Sequence, residues 1–145
     1  METYARIVHH AIRPEAVLSE VGNEEDGAVL LFLGTVRDHA DGRSVEGLLY
    51  EAYEAMAREV LEDILREAGE ETGVRRLAAI HRIGDLAVGE ISVAIAVSSP
   101  HRDAAYRASR LVIEEIKARL PVWKKERYPG GAEEWVRPPR EEVGS

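Results

Sequence analysis

The sequence has no cysteine among its 145 residues, and it has only one phenylalanine and two tryptophans. The absence of thiols excludes disulfides, thiolate metal sites and a cysteine nucleophile on this chain, so any sulfur chemistry needs sulfur that another molecule carries. No apolar run approaches the roughly 20 residues of a membrane span, and the first residues lack a basic segment followed by an apolar one. We therefore expect a cytoplasmic protein with no membrane partner.

Basic residues are outnumbered by acidic ones: the sequence has 19 Lys and Arg against 27 Asp and Glu, which gives a net charge of -8. An acidic chain of this kind argues against nucleic acid and anionic membranes as partners. The length favours a single domain, which we place at residues 1–136. The proline-containing and charged residues 137–145 are predicted to form a loose tail.

Apolar patterning predicts strands and helices in the order β-α-β-β-α-β-β-α-β-β. The predicted helices cover 14–21, 55–69 and 103–120. The predicted strands cover 4–10, 28–36, 45–53, 74–83 and 91–97, followed by two short strands on either side of a Pro-Gly-Gly turn, with residues 84–86 opening a loop. This order favours an α+β fold in which helices pack on one side of a mostly antiparallel sheet, a two-layer sandwich with a small C-terminal β-hairpin subdomain.

The densest positive run lies at residues 116–127, where a predicted helix meets a proline. Pro121 disfavours helical geometry at Leu120 and lacks the N–H that a continuing helix needs. Lys117 then lies in the last turn and Lys124 on the next strand, so two amines of different segments can converge. The simpler alternative is a solvated charged face. If instead neighbouring cations lower the pKa of a lysine here, that lysine can act as acid, base or nucleophile. The candidate cations are Arg119, Lys125 and Arg127.

Two turns carry residues that suit an anion. Arg37 follows an apolar strand, and its guanidinium can bind a phosphate or carboxylate through two parallel hydrogen bonds; the alternative is a local pair with Asp38. His101 and Arg102 lie where a strand leads into a helix, whose first N–H groups favour anions. The alternative there is an ordinary helix cap by a neighbouring serine or aspartate.

Other patterns predict no chemistry. The histidines lack metal-ligand spacing, no phosphate-binding glycine motif is present, and we predict neither a metal nor a cofactor. Tyr50 and Glu51 alternate along a predicted strand, which is typical of surface pairing.

Four stretches, in this order, resemble the large, catalytic subunit of molybdopterin synthase. They are residues 27–39, 48–57, 81–106 and 116–126. The resemblance implies a sulfurtransferase of molybdenum cofactor biosynthesis. In that family, a small ubiquitin-like partner carries a thiocarboxylate on its Gly-Gly C-terminus, and the tail threads into a pocket of the large subunit. Two sulfur transfers to cyclic pyranopterin monophosphate then make the dithiolene of molybdopterin. The resemblance further implies a homodimer with one small subunit at each end, a heterotetramer.

The resemblance also assigns roles to individual residues. It makes Lys117 and Lys124 catalytic, in proton transfer and in stabilising charge as sulfur attacks and the cyclic phosphate opens. The substrate-binding positions that it implies are Arg37, His101 and Arg102. The possible further pocket residues are Phe32, Glu126 and, at an altered spacing after Trp135, Arg137 or Arg140.

A different class of function is a non-catalytic α+β module that binds an anionic ligand or an acidic peptide tail. The two hypotheses differ at Lys117, whose loss should abolish turnover in an enzyme but weaken binding in a module. Hydrolysis of a phosphate ester through His101 is a third possibility, with no paired carboxylates or metal ligands to support it.

Overall fold

The computed structural model describes residues 1–136; the predicted tail at 137–145, with Arg137 and Arg140, lies outside the described residues. The helices are α1 (Pro14–Ser19), α2 (Glu54–Thr72) and α3 (Arg102–Arg119). The strands are β1 (Glu2–Val8), β2 (Ala28–Thr35), β3 (His39–Ala40), β4 (Arg43–Ser44), β5 (Gly47–Ala52), β6 (Arg76–Arg82), β7 (Gly84–Ala87), β8 (Ile91–Ser99), β9 (Val122–Arg127) and β10 (Glu133–Trp135).

The first sheet has the strand order β1-β6-β8-β2, with β1 parallel to β6 and the other pairs antiparallel. Its central strand β8 is apolar on both faces, as expected for a strand covered on both sides. Val93, Ile95 and Val97 face the core that α2 and α3 cover. Ala94 and Ala96 face the opposite way, into a smaller core.

The smaller core places α1 on the other face of the sheet, which differs from the predicted packing of the helices on one side. Val17 of α1 and the following Val21 are fully buried there. The sheet residues beneath them are the alanines Ala78, Ala94 and Ala96. Because these side chains are small, a six-residue helix can approach the strands closely enough to bury its few apolar groups.

A second sheet, with the order β10-β9-β5-β7, packs over its own core. The prediction of a loop at residues 84–86 was wrong, because this segment forms β7 and pairs with β5. Leu86 is fully buried and lies opposite Leu48. Gly84, with a φ of 98°, lets the chain leave β6 and turn directly into β7. The C-terminal hairpin of β9 and β10 is thus one edge of a four-stranded sheet.

Helix ends follow local chemistry, with one correction. Pro121 ends α3 as predicted, since Leu120 is already extended at φ -68° and ψ 126°. The second helix continues beyond Gly69 to Thr72. Gly69 is not a helix end but a close contact inside the helix, since a Cβ at that position would collide with the Met1 sulfur. Gly73, at a φ of 83°, ends this helix in the left-handed conformation.

The predicted class, α+β with helices on mostly antiparallel sheet, is confirmed by this architecture. Within residues 1–136, none of the helices is both long enough and apolar enough to cross a membrane.

Substitutions at Leu61 and Met56 test which face of α2 packs against the core. Leu61 is fully buried, whereas Met56 is 54% exposed. We expect Leu61→Ala to lower the free energy of unfolding by about 2–5 kcal/mol, because it leaves a cavity in the core. Met56→Ala should change it by less than about 0.5 kcal/mol. Urea unfolding followed by circular dichroism measures both, and equal losses would contradict this orientation of the helix.

Candidate active site

A cavity of about 460 Å³ lies where the end of β2, the end of α3 and the second sheet meet. Five residues selected in the sequence analysis line it, namely Phe32, Arg37, Lys117, Lys124 and Glu126. The apolar part of the lining comes mainly from the strands and from the last turns of α3. The cavity therefore combines an apolar wall with three positive side chains.

The proline corner sets the two lysines at this cavity. Lys117 lies in the last turn of α3. The corner is tight, since the Leu120 N–H donates to the Ile116 carbonyl oxygen at 3.0 Å and the Val122 N–H donates to the Leu120 carbonyl oxygen at 2.8 Å. The chain then enters β9, which carries Lys124 back past the helix end.

Strand alternation decides which lysine of β9 enters the cavity. Successive side chains of a strand point to opposite faces, and Lys124 lies directly opposite Tyr50 of β5. Both side chains line the cavity. The next residue, Lys125, points to the other face and places its amine 4.7 Å from the centre of the Trp135 ring.

Burial is the main cause that lowers the pKa of Lys124, because a partly buried ammonium loses hydration. The nearby positive charges of Lys117 and Arg37 lower this pKa further, while the carboxylate of Glu126 opposes the change. Lys124 therefore loses its proton at a lower pH than an exposed lysine does. An amine whose pKa is lowered in this way gives up its proton more readily than an exposed lysine does, which suits proton transfer.

The cations that act on Lys124 are not those proposed from the sequence. Each of the three candidates forms an ion pair with carboxylates away from the cavity. The pairs are Arg119 with Glu67 at 2.6 Å and with Glu115 at 3.0 Å, Lys125 with Glu133 at 3.8 Å, and Arg127 with Asp85 at 3.3 Å. Since these charges are largely compensated, Lys117 and Arg37 supply the positive field instead.

Arg37 does not form the local pair that was its alternative. Asp38 accepts instead from the Nδ1 of His39, at 2.8 Å. Within residues 1–136, no carboxylate lies within 4 Å of the Arg37 guanidinium. Among the described residues, Arg37 thus brings a guanidinium without a carboxylate partner to the cavity.

His101 and Arg102 lie elsewhere in the chain. They sit at the first turn of α3, and at 1.5 Å per residue they are about 23 Å from Lys117 at its last turn. His101 is the N-cap residue and no side chain caps the helix there, so the predicted alternative of a serine or aspartate cap was wrong. The structure does not bring these two residues to the cavity of the same chain.

Tyr50 and His81 line the cavity and were not selected from the sequence. The interpretation of Tyr50 as a surface residue was wrong, since burial raises the pKa of its hydroxyl. His81 is only 6% exposed, and burial lowers its pKa to about 4, so the ring is neutral at neutral pH. Its strand neighbours on the same face, Leu77 and Ala79, belong to the core, and this alternation is the signal that marks a buried histidine.

Comparison with known proteins places the chain in one family. A model of the MoaE protein family matches residues 7–119. The chain belongs to the MoaE protein family. The molybdopterin synthase catalytic subunit of Bacillus subtilis is 46% identical over 125 residues, which cover 86% of this chain and 79% of that protein. Catalytic subunit 1 of the molybdopterin synthase of Mycobacterium tuberculosis is 39% identical over 133 residues, covering 92% and 90%.

A solved structure agrees with these relatives. The crystal structure of molybdopterin synthase from Staphylococcus aureus superimposes with a TM-score of 0.87 at 42% identity, covering 94% of this chain and 98% of that one. The resemblance stated from four sequence stretches is thereby confirmed for this MoaE-family chain, as is its assignment to an enzyme family.

The electrostatics of the cavity predict how Lys124 titrates. Lys117→Gln removes a positive neighbour, so we expect the pKa of Lys124 to rise. Arg119→Gln is the matched control, because Arg119 is paired with Glu67 outside the cavity and its loss should leave the titration unchanged. Since the chain has only three lysines, side-chain NMR can follow each amine. An unchanged Lys124 midpoint in Lys117→Gln would contradict the proximity of the two amines.

Proposed function

We propose that the chain is the catalytic subunit of a molybdopterin synthase, which transfers sulfur from the thiocarboxylate of a small partner to cyclic pyranopterin monophosphate. One observation carries the proposal: Lys117, Lys124 and Arg37 meet at one cavity in a chain of net charge -8. Both the substrate phosphate and the thiocarboxylate are anions, so a local cluster of cations attracts them. The cytoplasmic location stays a prediction.

Each cation has a separate task in this proposal. Arg37, which has no carboxylate partner among residues 1–136, binds the cyclic phosphate through its planar guanidinium. Lys117 stabilises the negative charge that develops as sulfur attacks and the cyclic phosphate opens. Lys124, whose pKa is lowered by burial, exchanges the proton that this step requires.

His101 and Arg102 take part from a second copy of the chain in this proposal. The distance of about 23 Å along α3 excludes them from the cavity of their own chain. Strand β2 offers the surface for pairing, because it is the end strand of the first sheet and contains no charged residue. Its apolar side chains Val29 and Leu33 are 52% and 36% exposed. The outer backbone N–H and C=O groups of such an apolar edge strand can pair with a strand of another chain.

Antiparallel pairing of two β2 strands about a two-fold axis gives the required geometry. Ala28 at the start of β2 lies beside Ser99, just before the His101 turn. Arg37 follows the end of the same strand. A two-fold pair sets the start of one strand beside the end of its copy, so the His101 turn of one protomer approaches the Arg37 cavity of the other. This arrangement is the homodimer of the proposed heterotetramer.

Lys117→Ala tests the catalytic role. We expect this substitution to lower the rate of dithiolene formation by about 10²–10⁴-fold, because a positioned proton-transfer group typically contributes that much. The variant should still bind the thiocarboxylated partner. Lys125→Ala is the control, because Lys125 does not line the cavity and pairs with Glu133. The assay mixes purified chain, partner and cyclic pyranopterin monophosphate, and partner binding is measured separately by calorimetry.

The binding-module hypothesis predicts the opposite result. Wild type would then form no product with a partner that is competent with another large subunit, and Lys117→Ala would lose affinity in proportion to the charge removed. That outcome would remove the catalytic proposal and leave the fold and the cavity.

Mixed dimers test the shared site. We expect Lys117→Ala and Arg102→Ala each to be nearly inactive alone, and activity to return when the two are unfolded, mixed and refolded together. A mixed dimer contains one cavity with both residues intact only if they come from different protomers. No recovery, with mixed dimers demonstrated by mass spectrometry, would show that the two residues do not share a site across the dimer.

A further inference from the structure

Tyr50 and His81 line the cavity but have no task in the chemistry proposed above. Tyr50 lies on β5 of the second sheet, and His81 lies on β6 of the first. Their rings meet edge to face, with centroids 5.1 Å apart and planes at 77°. This contact joins the two sheets at the cavity wall.

Tyr50 also lies beside Lys124. The register of β5 and β9 makes the two residues direct cross-strand partners, and such partners have Cβ atoms about 5 Å apart on the same face. Tyr50 therefore contacts His81 in the first sheet and faces Lys124 within its own sheet. The two side chains are thus neighbours on the same face of the second sheet, at the cavity.

A backbone hydrogen bond selects one tautomer of the neutral His81 ring. Its Nδ1 donates to the carbonyl oxygen of Arg82 at 2.9 Å, which leaves Nε2 without a proton. No residue within 1–136 hydrogen-bonds to Nε2. The cavity wall thus contains an uncharged aromatic pair next to Lys124 in the lining.

The two proposed catalytic amines belong to separately packed parts of the chain. Lys117 lies on α3, which packs on the first sheet, and Lys124 lies on the second sheet. Their separation therefore depends on how the second sheet is held against the first. The Tyr50–His81 ring contact packs one sheet against the other, and both rings line the cavity.

We propose that Tyr50 and His81 form a positioning pair, which holds Lys124 against Lys117 and keeps water away from the Lys124 amine. The inference rests on the proposed function, because it concerns how the lysine of that function is prepared. It also makes a claim about the chain alone, with no partner or substrate present.

The effect on titration follows from the groups around Lys124. The titratable and charged groups that share its cavity are Arg37 after β2, His39 on β3, Tyr50 on β5, His81 on β6, Lys117 on α3 and Glu126 on β9. Burial is the largest cause of the lowered pKa of Lys124. Removing the Tyr50 ring admits water and weakens that cause, so the amine should titrate at higher pH while the surrounding charges stay the same.

The first measurement is the titration of the Lys124 amine in the purified chain, by side-chain NMR or by pH-dependent acylation read by peptide mass spectrometry. We expect Tyr50→Leu to move the midpoint to higher pH and Tyr50→Phe, which keeps the ring, to restore it. Tyr4→Leu is the matched control, because Tyr4 packs in the core on the far side of the first sheet. If Tyr50→Leu does not fold, His81→Gln removes the same ring contact and carries the same expectation.

The second measurement is turnover against pH. The limb of the profile that depends on Lys124 should move to higher pH in Tyr50→Leu, with kcat reduced and the KM for the partner unchanged. An unshifted Lys124 midpoint in a folded variant, or an equal shift in Tyr4→Leu, would overturn the positioning role even if wild type turns over. If wild type makes no product while the midpoint shifts as expected, the proposed function fails and the positioning of Lys124 stands.

Discussion

The tight corner at Pro121 is the constraint on which the site depends. It ends α3 while Lys117 is in its last turn and sends the chain into β9, where Lys124 enters the same cavity. Ile116 and Leu120 anchor the corner in the main core. A helix continued beyond Leu120 would carry the second lysine away along the axis. The convergence of the two amines therefore begins with backbone chemistry at one residue, and the packing of the second sheet against the first sets their separation.

Ion pairs outside the cavity leave the positive charge concentrated at the cavity. The chain is acidic, and the cations near the corner but outside the cavity are matched with carboxylates, as Arg119 is with Glu67 and Arg127 with Asp85. Within the described residues, Arg37 keeps its charge uncompensated, and Glu126 is the one acidic residue that lines the cavity. An anion that approaches this protein thus meets a small positive region on an acidic background.

The structural features that could be predicted from the sequence are those set by residues close together in the chain. The helix end at Leu120 and the amphipathic α2 follow from proline geometry and from apolar spacing, both of which are local. The paired state of Arg119 was not predicted, because its partner Glu67 is 52 positions away. The same holds for Tyr50, whose burial depends on a contact with His81 across two sheets. The position of α1 was missed because small alanines on two strands, β6 and β8, and no pattern in α1 itself, decide which face it covers.

The most direct test of the account is where the C-terminus of the small partner lies when it is bound. Carbodiimide coupling of the carboxylate form of the partner joins its terminal carbon to whichever amine is in contact, and peptide mass spectrometry identifies that amine. This chain offers three lysines and its N-terminus. We predict coupling at Lys117 or Lys124. Coupling at Lys125 or at Met1, with both cavity lysines unmodified in the bound complex, would contradict the claim that the C-terminus of the partner binds at the cavity lined by Lys117 and Lys124.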